Sequence, residues 1–179
     1  MAANHVVLLR GINVGGHHRL PMKDLRRMAE DLGVEEVSTI IQSGNLVFSA
    51  SKAAAAKFRA DLAKAIKSEF GFESPVVLRS AAEMTKAVAS NPFFAEGCVP
   101  DHLHYMFLAS KPARGDVAAL DPDRSPPDRF VVRGKEIFVH CPNGLARTKL
   151  SNAYFDAKLK TISTSRNSKT VAKIIDLLG

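Results

Sequence analysis

Cysteine is scarce in this chain. Cys98 and Cys141 are the only two; they make no Cys-x-x-Cys pair and none of the disulfide frameworks that staple small secreted domains. The expectation is a reducing compartment and two buried thiols. Long apolar runs are missing near the start as well: Val6-Val7-Leu8-Leu9 gives way at once to Arg10, too short for a signal-peptide core or a membrane span. The expected location is the cytoplasm, with no membrane partner. Nucleotide-loop signatures are also absent. Gly11, Gly15 and Gly16 follow a strand-like segment, but the spacing is neither Gly-x-Gly-x-x-Gly nor a loop ending in Gly-Lys-Ser/Thr. No cofactor is expected on these grounds, and no Ser/His/Asp or Cys/His triad can be assembled from spacing.

What is present is the composition of an ordinary globular protein: 179 residues, 46% hydrophobic and 24% charged. A chain of this size buries roughly 70% of its unfolded surface and needs no metal or disulfide to fold. The net charge is +7, and it is uneven. From residue 141 onward Arg147, Lys149, Lys158, Lys160, Arg166, Lys169 and Lys173 face only Asp156 and Asp176. Such a surface attracts phosphates at long range, although solvated helix faces account for the same excess.

Hydrophobic patterning sets the element order. Val6-Val7-Leu8-Leu9 is apolar on both alternating faces and reads as a central strand. Pro21 then precedes Met22, Leu25, Met28, Ala29 and Leu32 at helical spacing, stopped by Gly33. Segments 37–41 and 46–48 form a hairpin across Gln42-Ser43-Gly44-Asn45. Ser51 caps a helix in which Phe58, Leu62, Ile66 and Phe70 recur every fourth residue, and a strand follows at 76–78. This βαββαβ order is the ferredoxin-like split βαβ, with strands arranged 4-1-3-2. A helix at 81–89 and a loop through Pro100 lead to a second pass: strand 103–108, short helix 115–120, hairpin 130–132/137–139, helix 149–159 and a last strand near Ile162. The closing helix is expected to start with Thr164 or Ser165 near its cap and to carry Val171, Ile174, Ile175 and Leu178 on one face. The fold class is therefore α+β: two ferredoxin-like subdomains, 1–80 and 101–179, joined by a helix and loop at 81–100, with an added C-terminal helix.

Three stretches carry a family resemblance: Leu8-Leu9-Arg10-Gly11-Ile12-Asn13-Val14-Gly15-Gly16, Ile41-Gln42-Ser43-Gly44-Asn45 and Thr164-Ser165-Arg166-Asn167. Together they resemble the bacterial domain of unknown function 1697. The resemblance implies two ferredoxin-like subdomains in one compact unit and no transferable activity. The family pattern tends to carry Ser-Lys-Leu where this chain has Thr148-Lys149-Leu150, and an aromatic where it has Ser168.

In a 4-1-3-2 sheet the end of strand one lies beside the start of strand three, so Arg10 and Asn13 should approach Gln42, Ser43 and Asn45. Guanidinium and amide groups in that grouping suit a phosphate, a carboxylate or a base edge; equally, the glycines serve turn geometry and the amides bond loop backbone. Arg166 and Asn167 extend the candidate ligand set at the C-terminus. His102 and His104 alternate along a strand whose neighbour ends at His140, and three converging imidazoles would suit Zn²⁺, but with no fourth ligand in sight no metal site is assigned. Base stacking in the manner of open-sheet RNA readers is disfavoured, because strands one and three offer mainly aliphatic residues and Phe48. The leading expectation is a binding protein for a nucleic acid or a phosphate-bearing small molecule, monomeric or homodimeric. The alternatives are a small enzyme with an anionic substrate held by Arg10 or Arg166 in a cleft between the halves, and a dimerising scaffold without a ligand.

Overall fold

The computed structural model describes residues 3–179. Strand β1 (Ala3–Leu9) has no solvent face along its apolar run, because Val6, Val7, Leu8 and Leu9 are all fully buried, as an unbroken aliphatic segment requires. It is followed by α1 (Met22–Asp31), β2 (Glu35–Ile40), β3 (Asn45–Ala50), α2 (Lys52–Phe70) and β4 (Val76–Ser80). The four strands form one antiparallel sheet in the order β2-β3-β1-β4. On one face Val7, Leu9, Leu46 and Phe48 pack with Leu25 and Met28 of α1 and with Phe58, Leu62 and Ile66 of α2. Each fully buried side chain of this size contributes about 1.5–3 kcal/mol. Helix α2 begins where Ser51 Oγ accepts from Ala54 N at 3.2 Å and ends at Gly71, whose φ of 75° only glycine adopts without strain.

The second pass comprises α3 (Ala81–Ala89), α4 (Pro92–Ala95), β5 (Leu103–Leu108), α5 (Arg114–Ala118), β6 (Arg129–Arg133), β7 (Glu136–His140), α6 (Asn152–Leu159), β8 (Ser163–Asn167) and α7 (Ser168–Leu178). Its sheet, β6-β7-β5-β8, repeats the antiparallel order of the first. Met106, Leu108, Ile137 and Val139 form its core with Leu150, Phe155 and Leu159. By contacts in space the chain divides into two units, residues 87–172 and the remainder, so that Lys173–Gly179 at the end of α7 group with the first unit. Asn4 Nδ2 donates to Leu178 O at 3.0 Å there. Among the described residues no helix is long and apolar enough to cross a membrane.

The element order and both sheet topologies match the expectation from the pattern. The start of the closing helix does not. Residues 163–167 pair with β5, from Leu108↔Ser163 to His104↔Asn167, which holds Thr164 and Ser165 extended and moves the cap to Asn167, whose Oδ1 accepts from Thr170 N at 2.8 Å. Within the 91–100 connection Asn91 Oδ1 accepts from Phe93 N at 3.1 Å and starts α4, a turn that reads as loop in the sequence.

Candidate functional site

The end of β1 meets the β2–β3 turn: Leu9 N donates to Gly44 O at 2.8 Å. Beyond Arg10 the chain makes a miniature hairpin. Asn13 N donates to His18 O at 3.1 Å and His17 N to Val14 O at 3.0 Å, with Gly15 and Gly16 at φ 59° and 79° between them. Two consecutive positive-φ residues are what a type I′ turn needs, and this is why the segment is Gly-Gly.

Asn13 ties this hairpin to the rest of the sheet edge. Its Nδ2 donates to Leu20 O at 2.8 Å and to Gln42 O at 2.9 Å, while its Oδ1 accepts from Leu20 N at 2.9 Å. Both amide protons are therefore committed to backbone. Asn45 is fully buried, and its Nδ2 donates to Ile40 O and to Ser43 Oγ, each at 3.0 Å. Asn13, Ser43 and Asn45 thus build and brace the turn that the sequence places beside β1. Arg10 takes a different direction: its N donates to Pro75 O at 3.0 Å and its O accepts from Ser74 Oγ at 2.9 Å, so its backbone is held by the segment leading into β4.

Against this braced edge lies a cleft of about 700 Å³ lined by Asn13, Arg19, Pro21, Met22, Lys23 and Gln42. Pro21 occupies the N-cap position of α1 and offers no side-chain cap, and Asp24 is the acidic residue of the first turn, so the amides that open the helix beside the cleft have no capping side chain. Arg19, Lys23 and Gln42 are exposed, and among the described residues their side chains make no hydrogen bond or ion pair. In the sequence Arg19 reads, with His17 and His18, as a flexible basic loop, and Lys23 lies in no motif. The signal available was their position on either side of the helix-starting Pro21.

Arg166 and Asn167 belong to the second unit. Arg166 is buried, its Nη1 donates to Thr164 Oγ1 at 2.9 Å and to Ser165 O at 2.8 Å, and burial pushes its pKa down to about 10. Arg79, which the sequence reading missed, stands at the matching place in the first unit. Each arginine is the residue before the last of its sheet's fourth strand, opposite Val6 or Tyr105 of the central strand. Arg79 Nη1 donates to Leu78 O at 2.9 Å, as Arg166 does to Ser165 O. An arginine one position before a strand's end in both repeats was the readable sign.

The histidines divide. The His102 and His140 rings are 6.2 Å apart, whereas His104 is buried with its Nδ1 lacking a hydrogen-bond partner among the described residues, and burial lowers its pKa. Among the described residues no three His, Cys, Asp or Glu side chains are placed to hold a metal ion. A second cavity, of about 480 Å³, is lined by Ser125, Asp128, Asn143, Arg147 and Thr148. There Ser125 Oγ donates to Asp128 Oδ2 at 2.8 Å and accepts from Lys149 N at 3.0 Å, while Thr148 Oγ1 accepts from Leu150 N at 3.1 Å. The Thr148-Lys149-Leu150 triplet therefore pins the segment before α6.

The chain matches the family model described as "Protein of unknown function (DUF1697)" over residues 2–138 and belongs to that family. The stretch Thr164-Ser165-Arg166-Asn167 lies beyond the matched residues. Among solved structures it is similar to the conserved bacterial protein SP0830 from Streptococcus pneumoniae, at 23% identity and a TM-score of 0.72, covering 100% of each chain. No curated protein matches it. The likeness to SP0830 shows the fold.

Proposed function

We propose that this protein binds a small phosphate-bearing ligand in the cleft at the amino end of α1. The carrying observation is that Arg19 and Lys23, neither neutralised by a described residue, flank the uncapped start of that helix. Helix N-termini and adjacent cations are together suited to phosphate. The volume of about 700 Å³ lies in the range of small-molecule sites. Positive-φ backbone occurs at Asn13, which lines the cleft, and at His18 and Ile41, each the chain neighbour of a lining residue, with φ of 55°, 49° and 47°, and positive φ in a β-branched residue such as Ile41 is uncommon outside constrained sites. Among the described residues the lining contains no carboxylate, histidine, serine or cysteine, which favours binding over turnover. A small ligand fits better than a nucleic acid. Lys160 and Lys169 are engaged by Asp116 and Asp101, and Arg166 is buried, so the basic C-terminal segment offers less free charge than its sequence suggests.

A thermal-shift series with inorganic phosphate, sugar phosphates and nucleoside phosphates, run on the native protein and on Arg19→Gln/Lys23→Gln, tests this reading. A ligand that binds only the folded state raises the melting temperature. The shift is expected in the native protein and lost in the double variant, since each charge-assisted hydrogen bond is worth about 1.5–3 kcal/mol. Equal shifts in both proteins would refute the site.

A further inference from the structure

The sequence led us to expect two buried thiols, and the structure gives one of each kind: Cys141 is buried and Cys98 is half-exposed. Cys98 follows Gly97, at φ 73°, after α4, where its N donates to Phe93 O at 3.0 Å. That turn aims its sulfur at two nitrogens from other strands. Cys98 Sγ lies 4.0 Å from His140 Nδ1 at the end of β7, and Arg129 Nη2, from the start of β6, donates to it at 3.7 Å. The guanidinium is itself held, by Glu96 Oε2 at 2.8 Å and over the Phe93 ring at 5.0 Å. The His140 ring is set between Phe93, at 5.6 Å, and His102.

We propose that Cys98 is a peroxide-reactive thiol, with His140 as its proton acceptor and Arg129 as the cation that stabilises the sulfur anion. The groups facing His140 are Arg129, His102, Glu96 and Asp128. Burial first, then electrostatic repulsion from Arg129 and the neighbouring His102, lowers its pKa, while Glu96 and Asp128 act the other way. The neutral imidazole is therefore the resting form and is free to take the thiol proton. In the reaction the proton moves from Sγ to Nδ1 and the sulfur attacks one oxygen of a hydroperoxide. The S–O bond forms as the O–O bond breaks; sulfur is oxidised by two electrons to a sulfenic acid, and the departing oxygen takes the proton from His140 and leaves as water or an alcohol. Cys141 is a built-in control: burial, with Asp128 nearby, pushes its thiol up to about 11 and keeps it protonated.

The test is to treat the full chain with hydrogen peroxide, trap sulfenic acid with a cyclic dione, and map the adduct by peptide mass spectrometry. The expected adduct is on Cys98 and not on Cys141. His140→Asn should slow trapping by about a hundredfold or more, and Arg129→Gln, at an exposed position, should slow it too, while both proteins stay folded. Trapping at Cys98 no faster than in the urea-unfolded chain, or rates unchanged in Arg129→Gln and His140→Asn, would overturn the proposal.

Discussion

A methyl group placed on Gly44 would lie 2.7 Å from Ile12 Cδ1 and 2.8 Å from Leu9 Cβ, on a backbone at φ 75°. Overpacking costs about 1–3 kcal/mol, and the left-handed conformation adds about 1–2 kcal/mol for a residue with a Cβ. Gly44→Ala should therefore lower unfolding free energy by about 2–5 kcal/mol, read from the urea midpoint at unchanged m-value. A loss below about 0.5 kcal/mol, the usual scale of surface substitutions, would mean that the turn moves aside freely. His104 makes a separate prediction. Its pKa is lowered by burial, so the unfolded chain binds more protons than the folded one just below the ordinary histidine value near 6.5. Its contribution is present above that pH and is lost as pH falls through the window. Stability should drop between about pH 7 and pH 5, and His104→Phe should flatten that slope. An identical slope in the variant would assign the acid sensitivity to other groups.

At the scale of elements, the β2–β3 turn holds Ile41 in a left-handed region that asparagine adopts at lower cost than a β-branched residue. Ile41→Asn is expected to raise stability by about 1 kcal/mol, measured by denaturant unfolding; a loss of stability would show that the exposed isoleucine side chain contributes packing that outweighs its strain. How the elements were read from sequence follows the same physics. The doubly apolar run of β1, the fourfold spacing of α2 and the two hairpins are local patterns, so their order and the sheet topology were legible. The approach of β1 to the Gln42 turn followed from topology, and Asn13 does reach Gln42 O. What was illegible depends on tertiary neighbours. Thr164 and Ser165 resemble helix caps until β5 pairs with them, and the amides of Asn13 and Asn45 resemble ligand hands until their backbone partners are seen. Arg19 and Lys23 gain meaning only when the loop hairpin folds beside Pro21 and makes a cleft.

For the whole molecule, the same strand order occurs twice and each sheet has its own core, with a buried arginine at the matching position of β4 and β8. The net charge of +7 bears on binding through ionic strength. Because Arg19 and Lys23 are exposed, their attraction for a phosphate is screened as the Debye length shrinks from about 10 Å at 0.1 M salt to about 3 Å at 1 M. Affinity measured by calorimetry should fall steadily over that range; affinity independent of salt would argue for an apolar ligand. The central claim, a phosphate site at the amino end of α1, is tested most directly by titrating the isotope-labelled protein with pyrophosphate and following backbone amide shifts. Saturable shifts are expected at Arg19, Met22, Lys23 and Gln42; shifts confined to other parts of the chain, or none at any concentration, would rule out a phosphate site at the start of α1.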